Sequence, residues 1–323
     1  MQAKHPHEIE RWISRTIAWP LVFALSLVAL FGAVAREAHE GPTLATAHQR
    51  TDAAAANALV VSLGAPPGIA ARAGYVMDAD TGTVFYAHHP DEQRAMASCT
   101  KIMTALVTTQ QGGLDRSVTV GADAASYVNS DNSYMGLSAG ESLTLNQLLY
   151  GLLLPSGNDA AIAIADAVGG TQQHFVVMMN AEAQVLGMTH THFTNPHGLD
   201  DPGHYTSARD LATLAAVALR QNTIAAIAAS GSYYIAATPA HKAYFLSNYN
   251  SLLAGKAAAY PGAVGLKPGN TGAAGWCEAF AARRDGHLIV GVVLDSPTWT
   301  QRNDDMHALL DWGFAQVGVP PAG

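Results

Sequence analysis

The longest apolar stretch lies near the start of the chain. Arg15 and Arg36 bracket TIAWPLVFALSLVALFGAVA, twenty residues without a formal charge. A run of that length crosses a bilayer as a helix. It also has the basic flank, apolar centre and small-residue end (Ala33-Val34-Ala35) of a secretory signal. Residues 1–36 are therefore expected to be a cleaved signal or a retained N-terminal anchor, and either one exports the rest of the chain. Residues 37–72 are Ala-rich, aperiodic and contain Pro66-Pro67-Gly68, the pattern of a linker. The body is expected over 73–317, with 318–323 as a tail.

Within the body, two apolar runs in GYVMDADTGTVFYAHHP flank Asp80-Thr81-Gly82 and predict a hairpin. ASCTKIMTALVTTQ predicts a helix. Thr144-Leu145-Asn146-Gln147 is a capping box opening a helix that ends before Pro155. Further helices are predicted from Asn158 to Val168, from Thr171 to Leu186, from Ser207 to Gln221 and from Arg302 to Gln316. GWCEAFAARR and HLIVGVVLD read as strands joined by Asp285-Gly286, a two-residue turn. Strands at both ends of the body and helices between them predict an α+β fold: one antiparallel sheet flanked by helices, with a helical subdomain.

Composition narrows the function classes. Apolar residues make up 49% and charged residues 13%, against about 25% charged in ordinary domains, which excludes a disordered chain. The net charge of −8 and the lack of a basic stripe exclude a nucleic-acid surface. Two cysteines, Cys99 and Cys277, make no disulfide framework; two buried thiols or a single bridge are the alternatives. His190, His192, His197 and His204 cluster in sequence without carboxylate support and read as scaffold, so no metal and no cofactor is expected.

The scarcity of lysine gives the chemistry its clearest signal, because only Lys4, Lys101, Lys242, Lys256 and Lys267 are present. Ser98-Cys99-Thr100-Lys101 puts a hydroxyl and an amine on one helical face, three residues apart. A serine attacks only once its proton is taken, and a lysine takes it only when neutral. The apolar setting KIMTALV is the kind that depresses an amine pKa. A Ser-x-Asn pattern occurs twice, as Ser130-Asp131-Asn132 in a polar loop and as Ser156-Gly157-Asn158 at a helix junction after Pro155. Lys267-Pro268-Gly269 is the only Lys-x-Gly in the chain, and Gly269 would let a backbone approach a ligand closely.

Taken in order, these patterns resemble those of the low-molecular-mass penicillin-binding proteins, the serine-type D-alanyl-D-alanine carboxypeptidases, whose fold is β-lactamase/transpeptidase-like. The resemblance extends from Gly74 to Phe314 through ASCTKIMTAL, PSGNDAAIAIAD, THFTNPHGLDDPGHYTSARDLATLA, GLKPGNTGAAGW and LLDWGF. It selects Ser156 and Asn158 over the loop match. It implies that Ser98 is acylated by the penultimate D-Ala of a peptidoglycan stem peptide and that Lys101 takes its proton. It further implies that Ser156 and Lys267 pass a proton to the departing D-Ala, and that Asn158 holds the substrate amide. The backbone N–H groups of Ser98 and Asn270 would form the oxyanion hole. β-Lactams would acylate the same serine, and the enzyme would work outside the cytoplasm.

Two departures stand out. The family's Lys-Thr-Gly is Lys-Pro-Gly here, so the threonine hydroxyl that helps hold the substrate's terminal carboxylate is missing. Arg302 falls where the family carries an arginine aimed at that carboxylate, and its bidentate fork is the expected compensation. No C-terminal anchor helix is expected after LLDWGF, so membrane attachment would fall to the N-terminal run. A D,D-endopeptidase, a β-lactamase and a non-catalytic wall-binding protein share the pattern; a Glu-x-x-Leu-Asn deacylation loop is not found at Glu182.

Overall fold

A computed structural model describes residues 65–129 and 133–322. The apolar run at 16–35, most of the expected linker and the Ser130-Asp131-Asn132 match lie outside the described residues. The chain opens with β1 (Ala73–Asp78) and β2 (Val84–His88). Their turn is fixed by Asp78, whose Oδ1 accepts the N–H groups of Asp80 and Thr81. A 3-10 turn, Ala97–Thr100, leads directly into α1 (Lys101–Gln111). The helical part continues as β3 (Ser117–Thr119), α2 (Ala122–Ser126), β4 (Ser142–Thr144), α3 (Leu145–Leu153), α4 (Asn158–Gly169) and α5 (Gln172–Val185). Next come α6 (Ala208–Leu219), α7 (Asn222–Ala229), β5 (Ser232–Ile235) and β6 (Tyr244–Ser247). The chain returns to the sheet as β7 (Ala263–Thr271), β8 (Gly275–Arg284) and β9 (His287–Ser296), and closes with α8 (Trp299–Gln316).

The five-stranded antiparallel sheet has the order β2-β1-β9-β8-β7, so the first and last strands of the body share one sheet, as the α+β expectation requires. Its two faces are read from the alternation along β8. Cys277, Ala279 and Ala281 pack with α1 and the other helices of the larger core. Phe280 and Ala282 point the other way, onto Met306, Leu309, Leu310 and Phe314 of α8. β7 is an edge strand with β8 as its only neighbour in the sheet.

Several boundaries differ from the sequence reading. Thr144 and Gln147 form the expected capping box. The last helix starts at Trp299 rather than Arg302, because Thr298 caps it by accepting Gln301 N–H. Ala70 and Ala71, near the end of the expected linker, donate their N–H groups to the Asp305 carboxylate, which docks them on α8. The tail is likewise held, with Val319 buried and Ala322 N–H bonded to Asp311. The short pairs β3–β4 and β5–β6, and α7, have no counterpart in the sequence reading. Among the described residues no single helix is long and apolar enough to cross a membrane.

Candidate active site

The 3-10 turn lies against β7, and Ser98 sits on it just before α1. Lys101, the first residue of α1, is fully buried. Its Nζ lies 2.9 Å from Ser98 Oγ, 2.7 Å from Asn158 Oδ1 and 2.6 Å from the His197 carbonyl. A neutral amine has two N–H donors and one lone pair. Asn158 Oδ1 and the His197 carbonyl are acceptors and take the two donors. The lone pair is then left for the Ser98 hydroxyl proton. Burial, and after it the nearby Lys267 charge, push the Lys101 amine well below the usual lysine range.

The surroundings hold this arrangement rigid. Asn195 Oδ1 accepts the N–H groups of His197 and Gly198, and the Thr104 hydroxyl donates to the Pro196 carbonyl. A Cβ on Gly198 would collide with the Ala97 carbonyl, so only glycine lets this loop reach the turn that carries Ser98. His204 Nδ1 accepts Thr194 N–H, which leaves Nε2–H to donate to Thr100 Oγ1 at 2.7 Å. Thr100 in turn donates to the Ala97 carbonyl. Burial pushes His204 down to about 4 and His197 down to about 3, so both rings are neutral near pH 7. Ala97, before the serine, has φ +48° and Ser156 has φ +64°. Left-handed backbone at non-glycine residues is the kind of strain that collects around reacting groups.

Ser156 is buried between α3 and α4, and its Oγ has no hydrogen-bond partner among the described residues. Two residues on, Asn158 opens α4. Its N–H donates to the Ser133 carbonyl. Asp159, absent from the sequence reading, is fully buried and accepts the N–H groups of Met135, Gly136 and Leu137. It thereby ties the 133–137 loop to the helix that carries Asn158. A buried aspartate directly after Ser-x-Asn was the available signal.

On β7, Lys267 is fully buried and pushed down to about 8 by burial. Its Nζ donates to the Pro268 carbonyl at 3.0 Å. Gly269 passes so close to the turn that a Cβ there would stand 2.8 Å from Ser98 N and 3.1 Å from the Met96 carbonyl. Proline fits a sheet where its nitrogen faces away from the neighbouring strand. Asn270, two residues on, shares that orientation, so its N–H is directed to the open edge, the side that an oxyanion contact needs.

Arg302, the residue expected at the substrate carboxylate, lies in the seam between β8 and α8. It is 2% exposed, with Nη1 3.3 Å from Glu278 and Nη2 donating to Ser251 Oγ and Asn303 Oδ1. Glu278, a buried acid on β8 that sequence reasoning passed over, is its ion-pair partner. Both cysteines are buried free thiols, and burial raises each pKa, that of Cys99 to about 12.

Comparison with known proteins agrees with this geometry. The model of the D-alanyl-D-alanine carboxypeptidase family matches residues 60–298. A D-alanyl-D-alanine carboxypeptidase of Streptomyces sp. is 36% identical over 77% of this chain and 89% of its own length. One from Bacillus subtilis is 34% identical over 78% of this chain, which spans 64% of that longer relative. The crystal structure of a Streptomyces DD-transpeptidase, 35% identical, superposes with a TM-score of 0.73 and covers 78% of this chain and 100% of that one.

Proposed function

The chain belongs to the D-alanyl-D-alanine carboxypeptidase family of serine peptidases, and from that premise we propose that Ser98 is the nucleophile with which it removes the terminal D-Ala of peptidoglycan stem peptides outside the cytoplasm. The observation that carries this reading is the buried Lys101 amine within 2.9 Å of Ser98 Oγ. Neutral Lys101 takes the hydroxyl proton as Oγ bonds to the carbonyl carbon of the penultimate D-Ala. The N–H groups of Ser98 and Asn270 stabilise the oxyanion. The C–N bond then breaks, and the departing amine receives its proton through Ser156, whose unpartnered hydroxyl is free to bridge. Water, deprotonated in the same way, releases the shortened peptide from the ester. Asn158 holds both the amine and the substrate amide, and Lys267 supplies positive charge to the far end of the substrate.

Incubation with penicillin followed by mass spectrometry of peptides tests the reading. One adduct on Ser98 is expected; an adduct elsewhere, or none, refutes it.

The pH dependence of acylation rests on the same groups. Activity requires neutral Lys101, so it falls with acid only as the pH drops through that amine's depressed pKa. It requires charged Lys267, so it falls with base near pH 8, where Lys267 loses its proton. A bell-shaped kcat/KM profile with its alkaline limb near pH 8 is expected, and the Lys267→Arg variant should move that limb upward. A limb that stays near pH 8 in the variant excludes Lys267 as its source.

A further inference from the structure

Two buried polar side chains beside the turn of Ser98 take part in no step of the proposed reaction. Thr100 is 0% exposed and His204 is 4% exposed. Their hydrogens are dictated one after another. Thr194 N–H can only donate, so His204 Nδ1, 3.0 Å away, must accept. The ring proton then sits on Nε2 and points at Thr100 Oγ1, 2.7 Å away. A hydroxyl has one hydrogen. With the ring donating to its oxygen, that hydrogen goes to the Ala97 carbonyl at 2.8 Å. Burial keeps the ring neutral, so the direction of these bonds does not reverse near pH 7. The buried Phe193 ring packs edge to face on the imidazole at 5.8 Å and holds its plane.

The last bond of the series acts on Ser98. The Ala97 carbonyl and the Ser98 N–H belong to one planar trans peptide unit and point in opposite directions. Holding the carbonyl therefore aims the N–H. Ser98 N faces β7, where a Cβ on Gly269 would stand 2.8 Å from it. A donor on the carbonyl also polarises the peptide and strengthens its N–H as a donor. Ala97 has φ +48°, a costly conformation for alanine, and the bond from Thr100 helps to keep the peptide in it.

We propose that His204, acting through Thr100 and the Ala97 carbonyl, is a positioning residue for the oxyanion hole, which keeps the Ser98 N–H aimed at the oxygen of the tetrahedral intermediate. The proposal rests on the reading that Ser98 is the nucleophile and that its N–H serves that oxygen. His204 and Thr100 act on the reaction only through the direction of one peptide plane.

The test compares an ester of an N-acylated D-Ala with its thiono counterpart, in which sulfur replaces the carbonyl oxygen. Sulfur is larger and accepts hydrogen bonds more weakly, so a well-aimed oxyanion donor favours the oxo ester. The ratio of kcat/KM, oxo over thiono, reports that alignment. Each ratio is read on one preparation, so an inactive fraction cancels, and a merely structural role lowers both rates together. Thr100→Val keeps the shape and removes the hydroxyl. Its ratio is expected to fall about tenfold, short of the roughly hundredfold that outright loss of an oxyanion donor costs. His204→Asn places an acceptor where Nδ1 stood but does not reach Thr100, and an about fivefold fall is expected on the same scale. His204→Gln carries an amide N–H to the place of Nε2 and should bring the ratio back to within about twofold of the parent's. Should His204→Asn not fold, His204→Met makes the same deletion in an apolar side chain of similar size, with the same fall expected. A ratio unchanged from the parent's in Thr100→Val, or one in the Asn or Met variant no lower than in His204→Gln, overturns the proposal. Failure of the parent protein to be acylated by penicillin at Ser98 strikes the reading of the site instead.

Discussion

Lys101→Met is expected to slow acylation of Ser98 by roughly a thousandfold, the middle of the range for loss of a positioned general base. Methionine keeps the unbranched apolar stem that α1 buries and removes only the amine. Ser98 then keeps its turn but loses its proton acceptor. The nearest imidazoles do not substitute. His204 is committed to Thr194 and Thr100, and the His197 ring accepts Leu199 N–H through Nδ1. The rate of penicillin adduct formation, followed by mass, reads the effect directly, and circular dichroism checks the fold. A drop smaller than tenfold would mean that another group takes the proton, and the account of Lys101 would fail. The His197 carbonyl and Asn158 Oδ1 also lose a donor in this variant, so a modest fall in thermal stability should accompany the kinetic loss.

Asp159→Ala should produce the largest loss of stability, by about 4 kcal/mol, because it strips a buried acceptor from several donors at once. The carboxylate takes Met135 N–H, Gly136 N–H and Leu137 N–H from the loop, and Ala160 N–H from its own helix. The side chain is 0% exposed and its bonds to Met135 N–H and Leu137 N–H are buried, so those two donors would be orphaned. For a domain of this size the expected fall in Tm is roughly 10 °C. The site should suffer with it. The Ser133 carbonyl that accepts Asn158 N–H belongs to the freed loop, and Asn158 positions the Lys101 amine. Asp159→Asn retains acceptor capacity at Oδ1 and should lose only part of the stability. Differential scanning calorimetry of the two variants decides; equal melting points for Ala and the parent would rule out a structural role for the carboxylate.

Much of this site is readable along the chain because its elements are local. Ser98 and Lys101 meet through helical spacing, and Ser156 and Asn158 through one helix start. The facing of Lys267 and Gly269 toward the turn comes from strand alternation once β7 is recognised. What could not be read depends on non-local register. The pairing of Arg302 with Glu278 is one such case: the acid precedes it by one strand and a hairpin, and nothing in the local pattern marks that acid as buried. Similarly, His197 contributes a carbonyl rather than its ring, and a backbone atom leaves no trace in residue type. The pairs β3–β4 and β5–β6 escaped because strands of three and four residues carry too little alternation to register as a period.

The edge position of β7 has a cost that its proline offsets. A strand left unpaired so that one peptide can lie along it invites any peptide to do so, including the same edge of a second molecule. At high local concentration this would nucleate aggregates. Pro268 interrupts the row of outward donors, so a continuous intermolecular ladder cannot form there, while the donor at Asn270 stays open.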